Sequence, residues 1–527
     1  MATSIVNLDA LIPRDDFRVK SGSADYSRRD KIAITDIEPK AFMYLALRKP
    51  DFQRETANWS PQKIQDFVKT FLDGDLIPAI ILWAAGESVF VIDGAHRLSA
   101  LIAWVQDDYG DGDTSRIFSK NDIPLEQIKA AKKTREIIDG SIGSYSEHVF
   151  AVEHPDRAKP EVLQRARRLA SLSLDLQWIR NTDSLKAENS FFKINQAATA
   201  IDPTELRIIR ARKAANAIAA RVITRNSTGH EYWSEFGDET KAEIEEMGRE
   251  LYRLLFHPPI ETPIKTLDLP VAGRGYSSPT LPLIFEMVNL ANNQPVLDVT
   301  KGNKKLLDLP PPPDGDGSET IKFLRSTRKI INRITGLHAS SLGLHPAVYF
   351  YSATGRHQPT AFLAVVELIR EFEKQDAFAQ FTDVRERFER FILENKSFSN
   401  QVTVKIGSGA KGFQRLKNLY VRVYEAMVNG HDNATILDVL RRDKEFSFLT
   451  PDERLVETSS GQFSRETKSA TFLRDAIVGA PRCRICKALL HFNSIQIDHV
   501  VRKEDGGLGV LENAQLAHPF CNSTIKN

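Results

Sequence analysis

All three cysteines of this 527-residue chain lie beyond position 480, where they form two short patterns with a histidine. Cys483 and Cys486 make a C-x-x-C pair, and His518 and Cys521 make an H-x-x-C pair. Two thiolates from one turn and two further soft ligands from a second turn are typical of a tetrahedral zinc site. The alternative is three buried thiols beside an unrelated histidine, but the use of every cysteine in this segment favours zinc.

Residues that could activate water and hold a hard cation lie between and beside these pairs. Asp498 and His499 end the apolar stretch SIQIDH, which is typical of a strand, and a diglycine loop follows. Asn513 opens a predicted helix, and Asn522 directly follows the last cysteine. A strand–loop–strand–helix unit this small cannot bury its own core, so we expect bound zinc to hold it together.

These elements resemble, in this order, the HNH endonucleases, whose fold is a ββα-metal unit. The family shows CxxC, DH, GG, N and CxxCN, and His518 stands here where the second pair has its first cysteine. The resemblance implies that His499 is the general base and that Asp498 and Asn522 bind one catalytic Mg²⁺ or Mn²⁺. It also implies that Asn513 orients the His499 ring or fixes the loop.

Other interpretations of this tail stay open. A zinc knuckle could bind DNA without cutting it, although such a knuckle has no need of the Asp-His and Asn residues. His491 lies in the same segment, and we interpret it as an exposed histidine rather than as a ligand.

A second pattern, FVIDGAHRLSALIAW, predicts a strand, a tight turn and a helix near residue 90. The strand ends at Ile92, Asp93 and Gly94 make the turn, and the helix begins directly afterwards. Backbone N–H groups at the start of a helix, together with His96 and Arg97, would form an anion site. The alternative is that Asp93 caps the helix and that Arg97 lies on the surface.

Neighbouring motifs extend this second pattern, because FQRETANW precedes it and SFFKINQ follows it. The order FQR, W, DGxxR and FxxIN resembles the ParB/sulfiredoxin-like family, whose signature is DGQQR, over roughly residues 35–210. That family includes the front domain of GmrSD-type, modification-dependent restriction enzymes. The resemblance implies binding of a nucleoside triphosphate, with hydrolysis left open, by the following residues: Arg54, Asp93, Gly94, His96 and Arg97.

The turn of this motif departs from the family signature. It reads GAHR, which is similar to the GCHR loop with which sulfiredoxin binds ATP phosphates. Ala95 stands at the position of the reactive cysteine, so the redox chemistry of sulfiredoxin is excluded while phosphate binding is not.

A chain of this length is too long for one core, and we divide it into four parts. Residues 1–40 are predicted to be an N-terminal arm, and residues 41–210 the nucleotide-binding domain. Residues 211–465 are predicted to be a helical middle region with a proline-rich linker at 309–320, and residues 466–527 the HNH domain. The predicted fold class is α+β multidomain, with a ParB/sulfiredoxin-like α/β domain, a mostly helical middle and a small zinc-stabilised ββα-metal domain.

One glycine-rich motif, GSGAKG at 407–412, matches G-x-G-x-x-G after the β-like stretch QVTVKI. No βαβ unit is predicted around it, and no acidic residue lies about 20 positions further on to bind a ribose. We therefore predict a loop that could contact a phosphate backbone rather than a dinucleotide site.

Composition limits the partners. The net charge is only +2, so any nucleic-acid site must be a local patch. The longest apolar run, IPAIILWAA, is far shorter than the roughly 20 residues that a membrane helix needs, and the N-terminus shows no secretory signal. An odd number of cysteines disfavours a disulfide framework, so we expect a cytoplasmic protein without a membrane partner.

The sequence therefore predicts a metal-dependent DNA endonuclease of the restriction or antiviral defence type, regulated by nucleotide binding or hydrolysis in its front domain. The expected cofactors are structural Zn²⁺, catalytic Mg²⁺ or Mn²⁺ and an NTP of unknown base. The expected partner is DNA, including modified phage DNA. The alternative is a non-catalytic ParB-like nucleotide switch with a zinc DNA-binding tail.

Overall fold

The chain divides into two compact units. The first unit comprises Met1–Arg212, Thr228–Tyr232 and Tyr276–Ser278, and the second comprises Lys213–Ser227, Trp233–Gly275 and Pro279–Asn527. The computed structural model describes residues 5–15, 29–53, 55–180, 186–191, 193, 202–296, 311–451 and 461–526.

A six-stranded mixed sheet forms the centre of the first unit. Its strands are β1 (Arg14–Asp15), β2 (Lys31–Ala33), β3 (Leu47–Pro50), β4 (Ile80–Ala85), β5 (Ser88–Asp93) and β6 (Ser173–Trp178). Their order across the sheet is β1-β3-β5-β4-β6-β2. The hairpin β4–β5 is antiparallel, whereas β3 runs parallel to β5 and β6 runs parallel to β4. These two strands lie in the middle of the sheet, and β5 confirms the strand predicted before the Gly94 turn.

Helices pack against this sheet. They are α1 (Phe42–Ala46), α2 (Pro61–Asp73), α3 (Ala95–Gln106), α4 (Asp113–Phe118), α5 (Leu125–Ser141), α6 (Tyr145–Glu153), α7 (Pro160–Leu169) and α8 (Pro203–Arg210). Local chemistry fixes the ends of α2, because the Ser60 hydroxyl accepts from the Lys63 N–H and Gly74 ends the helix at a φ of 77°. The core also includes the segment before the sheet, where Val6, Leu8 and Leu11 are buried.

The second unit is mainly helical. Its helices are α9 (Ala215–Thr224), α10 (Asp238–Phe256), α11 (Thr280–Ala291), α12 (Ser318–Ile334), α13 (Pro346–Tyr349), α14 (Pro359–Gln375), α15 (Phe378–Glu394), α16 (Ser397–Ile406), α17 (Phe413–Val428), α18 (Asn433–Arg442) and α19 (Arg465–Val478). Aromatic contacts connect several of these helices. The ring centroid of Phe372 on α14 lies 5.1 Å from that of Phe381 on α15 and 4.8 Å from that of Tyr424 on α17. Within the described ranges, none of these helices combines the length and the apolar composition needed to cross a bilayer.

The β-like interpretation of QVTVKI is wrong, because this stretch belongs to helix α16. Phe398 and Val402, four residues apart, are buried on one helical face, and the Thr403 hydroxyl donates to the Ser399 carbonyl one turn back. Burial of one helical face therefore outweighs the β propensity of the Val-Thr-Val run, and Gly407, at a φ of 124°, ends the helix.

A small module follows α19 in the same unit. Its strands β7 (Gln496–His499) and β8 (Ala514–Ala517) pair antiparallel, with Asp498 opposite Gln515 and His499 opposite Ala514. The predicted strand at SIQIDH is confirmed, whereas the helix predicted to open at Asn513 is wrong. Asn513 ends a 3-10 turn, and its carbonyl accepts from the Val500 N–H, so the backbone extends the ladder directly into β8. With a mixed N-terminal sheet, a helical middle and a small Cys/His-bearing module, the predicted fold class is confirmed.

Candidate functional site

The three cysteines and His518 form one buried cluster. Their four candidate ligand atoms all lie within 4.8 Å of one another. The Nδ1 atom of His518 is 3.4 Å from the sulfur of Cys486 and 3.9 Å from that of Cys521. Metal bonds of about 2.3 Å to sulfur and about 2.0 Å to nitrogen place tetrahedral ligands roughly 3.5–3.8 Å apart. The residues therefore fit a tetrahedral zinc ion.

The protonation of His518 also suits a metal. Its Nε2 atom donates to the Leu489 carbonyl at 3.0 Å, which leaves the Nδ1 lone pair directed at the cluster. Burial, followed by the positive charge of Arg385, lowers the pKa of His518 and keeps its imidazole neutral. Hydrogen bonds from the thiols of Cys486 and Cys521 lower the pKa of Cys483, while the same contacts raise the pKa of those two thiols. Neutral imidazole and thiolate are the forms that bind metal.

Two turns position these ligands. In the first, the Cys483 N–H donates to the Ala488 carbonyl and the Lys487 N–H donates to the Cys483 carbonyl. Lys487 adopts a left-handed φ of 61°, which closes the turn so that Cys483 and Cys486 face the same point. The Arg484 N–H donates to the Leu516 carbonyl, which ties this turn to the end of β8 and so to the second ligand pair.

Asp498 lies on β7 with its carboxylate almost buried. One carboxylate oxygen accepts from the Gln515 amide at 2.7 Å and from the Lys526 ammonium at 2.9 Å. Asn522 lies on the same turn as Lys526, and its amide donates to the Gln496 side chain at 2.9 Å. Gln496 and Asp498 share one face of β7 because side chains alternate along a strand. The turn after Cys521 thus lies along the face that carries Asp498.

The remaining residues of the module take separate places. His499 is half-buried at the end of β7. The Asn513 side chain contacts loop backbone, since its oxygen accepts from the Val501 N–H at 2.7 Å and its amide donates to the Leu508 carbonyl at 2.8 Å. The interpretation of His491 as exposed is wrong, because its ring is buried against His345 and Phe492.

In the first unit, β5 leads into α3 through Gly94, which has a φ of 93°. A side chain there would also collide with Ile80, since an added Cβ would lie 2.4 Å from the Ile80 Cδ1 atom. Asp93 does not cap the helix; it accepts a hydrogen bond from Arg97 at 2.7 Å. Arg97 also donates to the Pro78 carbonyl, so its guanidinium is held in place beside the turn.

Two further side chains lie near this turn. His96 stacks on Trp59, with ring centroids 5.8 Å apart. The Gln53 amide donates to the Val91 carbonyl at 3.2 Å, and its oxygen is buried without a hydrogen-bond partner among the described residues. Three residues of the predicted motifs, Arg54, Phe192 and Asn195, lie outside the described residues.

Several site residues escaped the sequence analysis. Gln515 and Lys526 contact Asp498, and Arg385 with its partner Glu389 lies against the Cys/His cluster. None of them belongs to a spaced motif. Only the position of Gln515 could have been inferred from the sequence, because two short antiparallel strands place a residue of the second strand opposite Asp498.

Comparisons with known proteins agree with both resemblances. Residues 35–211 match the model of the GmrSD restriction endonuclease N-terminal domain, and residues 483–527 match that of the HNH endonuclease. No curated protein and no solved structure gave a significant match. The chain thus combines a GmrSD-type N-terminal domain with a C-terminal HNH endonuclease domain, which together support a restriction-type nuclease.

Proposed function

We propose that this nuclease hydrolyses DNA phosphodiester bonds in a metal-dependent reaction at the end of β7 that carries Asp498 and His499. The observation that carries the proposal is the path of the turn after Cys521. It brings Asn522 against Gln496 and Lys526 against Asp498, so two oxygen-bearing side chains of the HNH pattern lie along one strand face. Carboxylate and amide oxygens are the ligands that hard divalent cations prefer.

Each residue then has a separate task. Asp498 and Asn522 would hold one Mg²⁺ or Mn²⁺, which supplies charge neutralisation at the phosphate and the leaving oxygen when bound. His499 accepts the proton of the attacking water, because imidazole is the side chain best suited to proton transfer near neutral pH. Asn513 fixes the loop between β7 and β8 through its contacts with Val501 and Leu508.

The Cys/His cluster has a structural role in this proposal. It would bind one Zn²⁺ through four protein ligands and leave no open position for substrate. Strands β7 and β8 contain four residues each and cannot form a stable sheet alone. Zinc therefore holds the scaffold on which the separate catalytic cation binds.

The nuclease test is metal-dependent nicking of supercoiled plasmid. The His499→Ala variant is expected to lose cleavage by about 10²–10⁴-fold while it keeps its zinc and its melting temperature, because only the general base is removed. His431→Ala is the matched control, since His431 is an exposed histidine of the same unit. Undiminished nicking by the His499 variant would place the nuclease centre elsewhere.

We infer that the GmrSD-type domain binds a nucleoside triphosphate beside Gly94. Backbone N–H groups at the start of α3 supply hydrogen-bond donors, and Asp93 holds Arg97 as a fixed cation beside them. The Gln53 side-chain oxygen, which has no hydrogen-bond partner in the described part of the chain, offers a buried acceptor for a ligand hydroxyl or amino group. By its resemblance to modification-dependent enzymes, this domain would also link nucleotide to the choice of modified DNA.

Nucleotide regulation requires that NTP bind the active and inactive states with different affinities. Added NTP is therefore expected to change the cleavage rate of the wild type on modified or unmodified phage DNA. The Arg97→Ala variant should bind NTP more weakly by calorimetry and lose this response, while the Arg116→Ala control retains both. Arg116 is suitable because it is an exposed arginine on α4. Cleavage rates that are identical with and without each NTP, on both DNAs, would show that the front domain does not regulate cleavage through nucleotide.

A further inference from the structure

A buried ion pair lies on helix α15, which is distant along the chain from both sequence motifs. The Arg385 side chain is 0% exposed and that of Glu389 is 2% exposed, and the guanidinium contacts the carboxylate at 2.8 Å. Arg385 also donates to the carbonyls of Leu342 and Gly343, and the Tyr349 hydroxyl donates to Glu389 at 3.1 Å. Burying two charges costs free energy, and a buried ion pair often stabilises a fold no more than apolar residues of similar size would. We therefore expect the pair to have a role besides stability.

Both members of this pair reach the Cys/His cluster. One Arg385 nitrogen lies 3.5 Å from the Nδ1 atom of His518. Glu389 accepts from the Leu489 N–H at 3.1 Å, and the Leu489 carbonyl in turn accepts from the Nε2 atom of His518. The backbone of Leu489 therefore connects the Glu389 carboxylate to the far side of the imidazole ring. This is the position from which outer residues fix the tautomer and the orientation of a metal-binding histidine.

The charges support the same connection. Three thiolates, one neutral imidazole and Zn²⁺ carry a net charge of −1, which is costly in a buried site without a nearby cation. Arg385 is such a cation. Its guanidinium lies 3.5 Å from the Nδ1 atom of His518 and is held there by the Glu389 carboxylate and by the carbonyls of Leu342 and Gly343. The positive charge of Arg385 beside the cluster would therefore offset the negative charge of a zinc–thiolate site.

We propose that Arg385 and Glu389 form the outer shell of the metal site, so that helix α15 completes the zinc centre of the HNH domain. Arg385 stabilises the negative zinc–thiolate cluster, and Glu389 orients His518 through the backbone of Leu489. Both are positioning residues and neither is a metal ligand. The proposal rests on the zinc assignment made above and goes beyond the HNH pattern, because α15 lies about 100 positions before the first ligand.

Other contacts join the module to the same region. The Phe520 N–H donates to the Ser341 carbonyl, and the Gly336 N–H donates to the Ser494 hydroxyl at 2.9 Å. Gly343 packs closely against His518 and Ser494. The module is thus fixed against α15 and the loop before α13, which keeps Arg385 in place beside the cluster.

The test is zinc retention by the full chain in which the pair is replaced by apolar residues. Arg385→Met combined with Glu389→Leu removes both charges together, a change that buried ion pairs often tolerate without loss of fold. Zinc is measured by elemental analysis after dialysis against a graded series of chelator concentrations. We expect the double variant to release zinc at about 10–100-fold lower chelator activity than the wild type. Arg370→Met with Glu367→Leu is the control, because that pair lies within α14.

A spectroscopic measurement separates an outer-shell role from a packing role. Co²⁺ replaces zinc, and its thiolate charge-transfer and d–d bands report the electronic surroundings of the sulfurs. The bands should shift in the Arg385→Lys variant, which keeps the charge but loses the planar fork, and stay unchanged in the α14 control. This milder variant also decides the case if the double variant does not fold.

Two failures have different meanings. Wild-type protein without zinc would contradict the zinc assignment itself. Zinc-loaded wild type, with Arg385 and Glu389 variants that hold zinc equally tightly and give the same Co²⁺ spectrum, would overturn the outer-shell proposal and leave the nuclease proposal intact.

Discussion

At the scale of single residues, the contact between Lys526 and Asp498 is expected to oppose binding of the proposed catalytic cation to Asp498. The Lys526 ammonium lies 2.9 Å from the Asp498 carboxylate and is mostly buried, so a bound divalent cation must displace it. Arg502 donates to the Lys526 carbonyl and helps to keep the turn in place. We therefore expect the ammonium to compete with the proposed cation for the same oxygen.

Replacement of this lysine should reveal the competition. Lys526→Met is expected to bind Mn²⁺ about 10-fold more tightly. The metal would no longer have to break the ion pair with Lys526, and an interaction of roughly 1.4 kcal/mol corresponds to a tenfold change in affinity. Mn²⁺ paramagnetic resonance measures the free ion, and Lys503→Met, an exposed lysine of the same module, is the control. Asp498→Asn should abolish binding in both backgrounds. Equal Mn²⁺ affinity of the wild type and the Lys526 variant would show that the contact does not compete.

At the scale of elements, the loop before α13 must approach the module closely. Gly343 has a φ of 59°, and a Cβ added there would lie 2.7 Å from the His518 Cδ2 atom and from the Ser494 Cβ atom. Neither atom belongs to the flexible end of a long side chain. The glycine is therefore required both by its backbone conformation and by the space available.

Alanine at this position separates the two requirements. Gly343→Ala is expected to lower the free energy of unfolding by about 2–4 kcal/mol and to weaken zinc retention, because strain and collision add. Gly430→Ala is the matched control, since it has a φ of 81° but nothing within 4 Å of an added Cβ. That control should cost only about 1 kcal/mol, from backbone strain alone. Denaturant unfolding measures both, and equal losses would mean that the close approach is absent.

At the scale of the whole molecule, buried histidines make stability depend on pH. His345 and His491 are both about 1% exposed, with ring centroids 5.6 Å apart. Burial lowers the pKa of His491 to about 4, and burial followed by the charge of His491 lowers the pKa of His345 well below its ordinary value. Both rings are therefore neutral in the folded chain at pH 7.

The sign of the effect follows from proton linkage. An unfolded histidine titrates near pH 6.5, so below that pH the unfolded chain binds more protons than the folded one. Stability from these rings is complete above about pH 6.5 and is lost as the pH falls toward 4. His491→Phe should remove up to about 3 kcal/mol of this acid-dependent loss, measured by unfolding at pH 7 and pH 4.5. The same slope in wild type and variant would assign the acid sensitivity to other groups.

Local patterns in the sequence determined the parts of this protein that need only a few neighbouring residues. The two ligand pairs, the strand ending in Asp498 and His499, and the strand, Gly94 turn and helix of the front domain all appear as predicted. Each depends on backbone conformation, capping or ligand spacing within one or two turns of chain. The roles assigned to His499, Asn522 and Arg97, and the domain boundaries, stay predictions.

Tertiary structure alone decided the contacts between distant segments. Arg385 beside His518, Lys526 on Asp498 and the burial of His491 have no signal in their own surroundings. The same limit explains the two errors of secondary structure, at QVTVKI and at Asn513, where packing and strand pairing outweighed local propensity. Contacts of this kind form only when both segments are ordered, and ordering them costs conformational entropy. Their formation therefore depends on the packing of the whole unit and not on any short stretch of sequence.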